Sequence, residues 1–374
     1  MPRAPVPDAP VLSTRALNRA TLARQSLIER SPMAPKAMVE HLVGMQAPLP
    51  PYFGLWSRLE SFQPDVLSHL VIDRTVVRIV VMRGTVHLVT AADACVLRPL
   101  VQPIMDRDLR TNMTYSRALH GIDFADLATA GRELLEERPR TMVELRPLLS
   151  ARWPDHDPAS LAHGVRDLLP LVQVPPRGVW GRSGQPSCTT LEAWTGKSLD
   201  GEPSIDEVIL RYLAAFGPAS VRDAQVWSGL TRLSEVFNRL RPQLMTFANE
   251  DGIELFDVPD APRPEADMPV PVRILAPFDN VLISYADRRR VLSELYRKLI
   301  FTHNGLVKST VLVDGFVVGY SAITRIRKLA TLTIELFEPI PVRDREEIAA
   351  EGQRLIAFAD PSAGSYEIAF TGVT

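Results

Sequence analysis

The chain has 374 residues, too many for one ordinary hydrophobic core, and at about 150 residues per domain it predicts two or three domains. Apolar residues make up 46% and charged residues 23%, a composition that excludes wholesale disorder. The 42 basic residues nearly balance the 44 acidic ones, for a formal net charge of −2. No chain-wide positive field therefore favours a polyanion, and any nucleic-acid site must be local.

The cysteine content and the hydropathy of the chain indicate in which cellular compartment it works. Cys95 and Cys188 are too few for a disulfide framework or a four-ligand zinc site, which favours a reducing cytosol. No apolar run reaches the roughly 18 residues of a membrane helix, and residues 1–10 hold four prolines where a secretory signal would be apolar. We expect a cytoplasmic protein with no membrane contact, no metal and no cofactor.

Along the chain, a plan of three short helices followed by two strands occurs three times. The first copy has helices over 14–29, 35–45 and 52–62, then strands over 76–82 and 85–89 around Arg83 and Gly84. An amphipathic helix over 91–105 leads to the middle copy. There a helix over 124–136, a Thr141 and Glu144 capping box and a third helix opening at Asp157 precede strands over 171–174 and 179–181.

The third copy carries the clearest helix-capping signals. Ser204 with Glu207 reads as a capping box, and Ser220 with Asp223 opens a second, short helix. A third helix runs from Thr231 to Pro242. Strands over 244–247 and 253–258 flank a turn at 250–252. After a Pro-rich linker at 259–271, strands over 310–318 and 330–337 and a helix over 344–359 predict a mixed α/β unit.

Three helices with a hairpin are typical of a winged helix-turn-helix. The predicted fold is mainly α with β wings (α+β): three tandem winged units forming a concave DNA cradle, plus a C-terminal α/β cap. The first winged unit spans residues 11–105 and includes the loop and the linker helix. The second spans 106–200, the third 201–260, and the cap 261–374. Recognition helices and wings fit duplex DNA, whereas stacked scaffolding is the alternative interpretation.

A proline-rich loop holds the main candidate residue. In the segment 43–56, Pro48, Pro50 and Pro51 exclude a continuous helix, so Gln46 leads into a rigid loop. A Gln side chain offers one carbonyl acceptor and two N–H donors, enough to hold a water molecule.

At these residues the sequence resembles the AlkZ-like DNA glycosylases, a winged-helix family that excises bulky alkylated purines and unhooks interstrand crosslinks. The similarity extends over nearly the whole chain and includes residues 83–88, 174–184, 278–280 with 286–288, and 313–317. The resemblance implies a DNA cradle and a catalytic loop of Gln, an intervening residue, and Gln or Asp.

The catalytic loop departs from that pattern, because Pro48 stands where the second Gln or Asp would be. Aligned from its downstream side instead, the loop is two residues short, and Gln46 takes the second position with Gly44 at the first. Either alignment leaves Gln46 as the one catalytic side chain. A lost contact of this kind costs on the order of 2 kcal/mol, so we expect reduced activity.

Seven further residues are DNA-binding candidates, and all but Asn280 have an alternative interpretation. Arg83, Arg177 and Arg182 lie at predicted wing turns, where arginines reach phosphates or the minor groove, although solvated turn arginines are equally common. His87 alternates with apolar residues on a predicted strand and is a candidate contact to DNA or the lesion. In the alternative interpretation it packs in the protein or faces solvent. The others are Asn280, Arg288 and Arg289, the last two within the basic run 288–290 that is otherwise a solvated face.

These features predict a monomeric, monofunctional glycosylase that acts on duplex DNA carrying alkylated purines and is associated with the nucleoid, in repair or in self-resistance to a genotoxic natural product. The alternative is a catalytically inactive winged-helix protein that sequesters lesions or regulates transcription. Phosphate loops, His and Cys ligand spacings and nucleophile elbows do not occur in the sequence.

Overall fold

The computed structural model describes residues 9–49 and 51–372 as a mixed α/β protein. Most of the predicted N-terminal segment 1–10 and the predicted loop residue Pro50 lie outside the described residues. Over the described part the helices are α1 (Thr14–Arg24), α2 (Pro35–His41), α3 (Tyr52–Trp56), α4 (Pro64–Ile72), α5 (Ala91–Thr111), α6 (Phe124–Glu137), α7 (Met142–Ser150), α8 (Pro158–Leu168), α9 (Leu191–Thr195), α10 (Ile205–Phe216), α11 (Val221–Ser228), α12 (Ser234–Leu240), α13 (Asn280–Ile283), α14 (Arg297–Ile300) and α15 (Val342–Ala359).

The strands form three sheets. They are β1 (Val11–Leu12), β2 (Met45–Gln46), β3 (Val76–Val80), β4 (Val86–Thr90), β5 (Arg140–Thr141), β6 (Leu171–Gln173), β7 (Ser187–Thr190), β8 (Met245–Asn249), β9 (Glu254–Asp257), β10 (Arg273–Ile274), β11 (Ser309–Val313), β12 (Phe316–Ile326), β13 (Leu329–Leu336) and β14 (Ser365–Gly372). The sheet orders are β1-β8-β9, β2-β4-β3-β6-β7-β5 and β10-β11-β12-β13-β14.

Several predicted helix starts coincide with side-chain caps. Thr141 and Glu144 form both bonds of the capping box before α7, and Ser220 and Asp223 do the same before α11. Ser204 accepts from the Glu207 amide at the start of α10, which is one half of the predicted box. These local hydrogen bonds fix helix starts through residues three apart, so the sequence alone could locate them.

All three helices predicted for the first copy are longer than the observed ones, and the one predicted over 35–45 ends at His41. The helix predicted over 14–29 ends at Arg24, and the one predicted over 52–62 ends at Trp56. A further helix, α4, follows with Pro64 in its first turn, and sequence analysis did not predict it. The two apolar residues that follow Trp56 in this segment, Leu59 and Phe62, lie in turn and loop structure and belong to the core beside α4.

The strand predicted over 179–181 is wrong. The partner of β6 is β7, and residues 174–186 form a long loop between the two. Gly178 has φ +94°, a left-handed conformation that ends the extended chain. Val179 is buried and Trp180 half-buried against aromatic side chains, so burial in a loop produced the apolar pattern that resembled a strand.

The strand predicted over 310–318 is two strands. β11 and β12 form a hairpin around Asp314 and Gly315, and Gly315 has φ +83°. The helix predicted over 344–359 is present as α15, which packs on the five-stranded sheet through Ile348, Leu355 and Ile356.

Long-range pairings connect the three predicted copies. Strand β3 of the first pairs with β6 of the second, so both strand pairs belong to one sheet. Strand β1 pairs with β8 of the third copy, and α1 packs against α10. A core joins β3, β4 and α5 to α10 and α11, for example through Ile79 and Phe216. The four-domain division and its three winged units stay a prediction. No helix of the described residues is long and apolar enough to cross a membrane.

Candidate active site

Gln46 ends the short strand β2 at the entrance to the proline-rich loop. Three side chains hold the backbone on either side of it. Asn280 Nδ2 donates to the Gly44 carbonyl at 3.0 Å, Arg78 Nη2 to the Ala47 carbonyl at 2.8 Å, and Arg177 Nη2 to the Pro48 carbonyl at 3.2 Å. The loop is therefore fixed by donors from distant parts of the chain and not by its prolines alone.

The amide of Gln46 is oriented by one contact. Arg83 Nη2 donates to Gln46 Oε1 at 2.6 Å, and the same nitrogen lies 3.3 Å from His87 Nε2. A guanidinium only donates, so the oxygen of Gln46 faces Arg83, and one of its two lone pairs stays available. The amide nitrogen makes no hydrogen bond to the described residues and is free to donate to a bound water or ligand.

His87 lies directly opposite Gln46 in the β2–β4 pairing. It is 2% exposed, and its Nδ1 lies 2.9 Å from the Thr85 carbonyl, an acceptor that requires the proton on Nδ1. Burial, with the nearby Arg83 charge, lowers the pKa of His87 to about 3. The imidazole is therefore neutral at physiological pH, with Nε2 as an acceptor towards Arg83.

This depressed pKa predicts an acid sensitivity of the fold. Unfolded His87 binds a proton below about pH 6.5 and folded His87 does not, so the free energy of unfolding falls as pH drops from 6.5 towards 3. At about 1.4 kcal/mol per pH unit, His87 removes about 2 kcal/mol between pH 7.5 and pH 5. Urea unfolding at both pH values should show a smaller loss in His87→Gln; an equal loss in both proteins would contradict the neutral, buried histidine.

A cavity of about 230 Å³ lies beside Gln46. Its walls are mainly apolar and aromatic: Gln46, Leu49, Pro51, Tyr52, Phe53, Val179, Trp180, Gly181, Arg182, Ala276 and Pro277. Trp180 lies 4.8 Å from Tyr52 and 5.4 Å from Phe358, ring centre to ring centre. The Tyr52 hydroxyl donates to the Gly178 carbonyl at 2.9 Å, which ties the 174–186 loop to α3. The cavity thus joins a polar amide to a preformed aromatic wall.

Of the predicted DNA-binding arginines, Arg182 alone is both exposed and at the cavity. Its side chain makes no hydrogen bond or ion pair within the described part of the chain. Arg177 is half-buried on the Pro48 carbonyl. Arg288 donates to the Leu282 carbonyl at 2.7 Å and lies over the Phe301 ring. Among these, Arg182 is the residue most available to an external anion.

Arg289 and Asn280 lie apart from this rim. Arg289 is paired with Asp287 at 2.7 Å and with Asp251, and it lines a wide groove of about 1630 Å³ near β8 and β9. That groove also holds Glu250 and Asp223, so its charge is mixed. Asn280 is buried and acts on the Gly44 carbonyl.

Three side chains that support the site were not predicted from the sequence. Arg78 is 1% exposed in the otherwise apolar strand β3, and a lone charge in such a strand was the available signal. Arg58 and Asp279, both fully buried in their side chains, pair at 2.7 Å and connect the end of α3 to the cap of α13. Asp279 adjoins Asn280, so this ion pair supports the contact to Gly44.

One group of described residues has metal-ligating atoms close together. Asp108, His163 and Asp167 place one such atom each within 4.8 Å of one another. His163 Nε2 lies 2.7 Å from Asp108 and 3.4 Å from Asp167, and its ring stacks on Tyr115. Burial raises the pKa of Asp167 to about 6. None of the three lines the cavity beside Gln46, and hydrogen bonding between α5 and α8 accounts for their arrangement.

A protein-family model and a solved structure are both similar to this chain. The model of the AlkZ-like DNA glycosylase family matches residues 39–358, which include Gln46, the cavity residues and most of α15. This chain belongs to that family. Its fold is also similar to the Streptomyces sahachiroi DNA glycosylase AlkZ, with a TM-score of 0.75 and 20% sequence identity over 97% of this chain and 100% of that chain. A search of curated protein sequences finds no match.

Membership of the AlkZ-like family confirms the resemblance drawn from the sequence motifs. The matched region begins just before the proline-rich loop and ends within α15, so it includes both Pro48 and the Gln46 amide. In this AlkZ-like chain the amide is held by an arginine, while the position two residues on is a proline without a polar side chain.

Proposed function

We propose that this AlkZ-like protein is a monofunctional DNA glycosylase that hydrolyses the N-glycosidic bond of bulky N7-alkylated purines in duplex DNA. The observation that carries the proposal is the fixed amide of Gln46 beside an aromatic cavity. The protein acts as a monomer in the cytoplasm, at the nucleoid, without a cofactor. Its role is DNA repair or self-resistance to an alkylating natural product, and its substrates include interstrand crosslinks.

The chemistry needs little from the protein beyond placement. Alkylation at N7 makes the purine cationic, so when the C1′–N9 bond breaks the base departs neutral and the sugar becomes oxocarbenium-like. A water oxygen then bonds to C1′ and loses its proton, leaving an abasic site. The free lone pair of Gln46 Oε1 accepts a hydrogen bond from this water and orients its attack, and the proton that the water loses passes to bulk solvent. As a neutral amide, Gln46 is a positioner and not a strong base.

The cavity supports a large alkyl substituent. Phe53 and Trp180 both line the cavity and pack edge to face, with ring centres 6.2 Å apart, and the space beside them is apolar apart from Gln46 and Arg182. Flat apolar groups bind well to such walls because stacking adds to the area that is buried. A methyl group would leave most of the roughly 230 Å³ unfilled.

Contacts to the DNA backbone follow from the exposed cation at the rim. Arg182 lies at the cavity mouth, where a guanidinium can bind a phosphate on one side of the lesion. Arg177 is the neighbouring candidate on the same loop, although it already donates to Pro48. With a net charge of −2 for the chain, we expect weak non-specific binding and recognition by lesion shape.

Base release from a graded set of adducts tests this function. Duplexes carrying N7-methylguanine, an N7-benzylguanine and a bulky polycyclic N7 adduct are incubated with the wild-type protein, and the free base and abasic strand are measured. We expect release that increases with the size of the aromatic substituent. Background release from all three duplexes would overturn the glycosylase proposal.

A lesion-binding protein without catalysis is the second candidate, in lesion sequestration or transcriptional regulation. Pro48 removes one polar contact to water, and Arg83 occupies one of the two lone pairs on Gln46 Oε1. Salt-dependent affinity for the bulky adduct without base release would favour it, whereas no affinity at low salt would contradict both candidates.

A further inference from the structure

Arg83 sits in the turn between β3 and β4 with a fixed backbone. Its φ is +56°, in the left-handed region that few non-glycine residues adopt. Gly229, at the end of α11, packs against it so closely that a Cβ there would lie 2.9 Å from Arg83 Cα. The turn is therefore held in place by the third predicted copy and is not a free wing tip.

The guanidinium of Arg83 has neutral acceptors only. Nη1 donates to the Trp227 carbonyl at the end of α11, and Nη2 donates to Gln46 Oε1 at 2.6 Å. It forms no ion pair with any carboxylate of the described residues. Burial and the charge of Arg288 lower the pKa of Arg83 to about 10, so it stays charged at neutral pH. A half-buried cation without an acid makes strong hydrogen bonds to the acceptors it has.

Arg83 also differs from the other donors around the loop in what it contacts. Asn280, Arg78 and Arg177 all bind backbone carbonyls, whereas Arg83 binds the side chain of Gln46. Without that bond, no contact among the described residues would choose between the two orientations of the amide. The carbonyl oxygen and the NH₂ group would then exchange places at the cavity.

We infer that Arg83 is a positioning residue for Gln46, one that fixes the amide by bracing it against the carbonyl end of α11. The inference rests on the proposed glycosylase function and gives Arg83 a different role from phosphate binding. It makes the third predicted copy part of the active site, because the Trp227 carbonyl holds the other arm of the guanidinium. Because Pro48 stands in place of a second polar residue, Gln46 is the remaining one, and the hydrogen bond from Arg83 orders its amide.

A rate-against-affinity comparison tests the role. Single-turnover base release is measured at saturating protein, and duplex affinity is measured by fluorescence anisotropy across a salt series. We expect Arg83→Ala to lower the rate about 10- to 100-fold, the range of a lost charge-assisted hydrogen bond, and to leave the salt slope unchanged. The rate of Arg83→Lys should lie between those of the wild type and Arg83→Ala, since an ammonium can make one of the two hydrogen bonds.

Control variants separate positioning from phosphate contact. Arg182→Ala should weaken binding and reduce the salt slope by about one. Arg343→Ala removes an exposed arginine of α15 that pairs with Glu347, and it should change neither rate nor affinity. If Arg83→Ala weakens binding and flattens the salt slope with an unchanged saturating rate, Arg83 is a phosphate contact and the inference is overturned.

A double variant and a crystal structure test the role of Arg83 separately from the proposed glycosylase function. If Arg83 acts through Gln46, the Gln46→Ala and Arg83→Ala double variant should release base as slowly as Gln46→Ala alone, within about twofold; additive losses would contradict this. In a crystal structure of Arg83→Ala, we expect Gln46 to leave its present orientation. An unmoved amide overturns the inference even if the wild-type protein releases no base, a result that by itself would overturn only the proposed function.

Discussion

Replacing Gln46 with Ala should lower single-turnover base release about 100-fold, close to 3 kcal/mol in activation free energy. The magnitude is at the low end of general-base effects because a neutral amide positions water without taking its full charge. Binding of the lesion duplex should stay within about twofold, since Gln46 occupies only one end of the cavity and the aromatic walls remain. The measurement is release of an N7-benzylguanine base at saturating protein, with anisotropy for affinity.

The matched variant is Gln46→Glu, which keeps the shape of the side chain and replaces the amide by a carboxylate. Arg83 would then pair with the new carboxylate and hold it ionised, because an adjacent cation lowers the pKa of a carboxyl group. We expect Gln46→Glu to retain more activity than Gln46→Ala. Wild-type rates in Gln46→Ala would show that another group orients the water.

The second large effect concerns stability. Arg58→Ala should lower the free energy of unfolding by about 3–5 kcal/mol, because it leaves the Asp279 carboxylate buried without its partner. Arg58 donates to both oxygens of Asp279, at 2.8 and 2.7 Å, and both side chains are fully buried. Asp279 also caps α13, next to the Asn280 contact to Gly44. Urea unfolding of the full chain measures the loss.

Two controls make the stability result specific. Asp251→Ala removes the exposed partner of Arg289 and should cost less than about 1 kcal/mol, because surface ion pairs contribute little. The double variant Arg58→Met with Asp279→Asn removes both charges but keeps a side-chain acceptor at the cap, and it should recover part of the loss. A loss in Arg58→Ala no larger than in Asp251→Ala would contradict a buried, uncompensated carboxylate.

Local sequence signals located much of the framework. The capping residues before α7 and α11, the turn at 250–252 and the proline-rich loop after Gln46 each depend on residues within a few positions of one another. Their hydrogen bonds and backbone restrictions are the same in any fold, so a sequence pattern can predict them. The candidate Gln46, and the family whose model matches the chain, followed from such a segment.

The arrangement around Gln46 was decided by tertiary structure. Arg83 and Trp227 are 144 positions apart, and Arg58 and Asp279 are 221 apart, so nothing local to either pair indicates its partner. The predicted strand at 179–181 was wrong for the same reason: Val179 and Trp180 pack against distant aromatic rings, and two adjacent apolar residues resemble a short strand. By itself the sequence determined which residue types were present at the loop, the turns and the caps. Only the packed chain decided that Arg83, in the turn between β3 and β4, faces the amide of Gln46, because buried hydrogen bonds are satisfied by whichever groups the fold brings together.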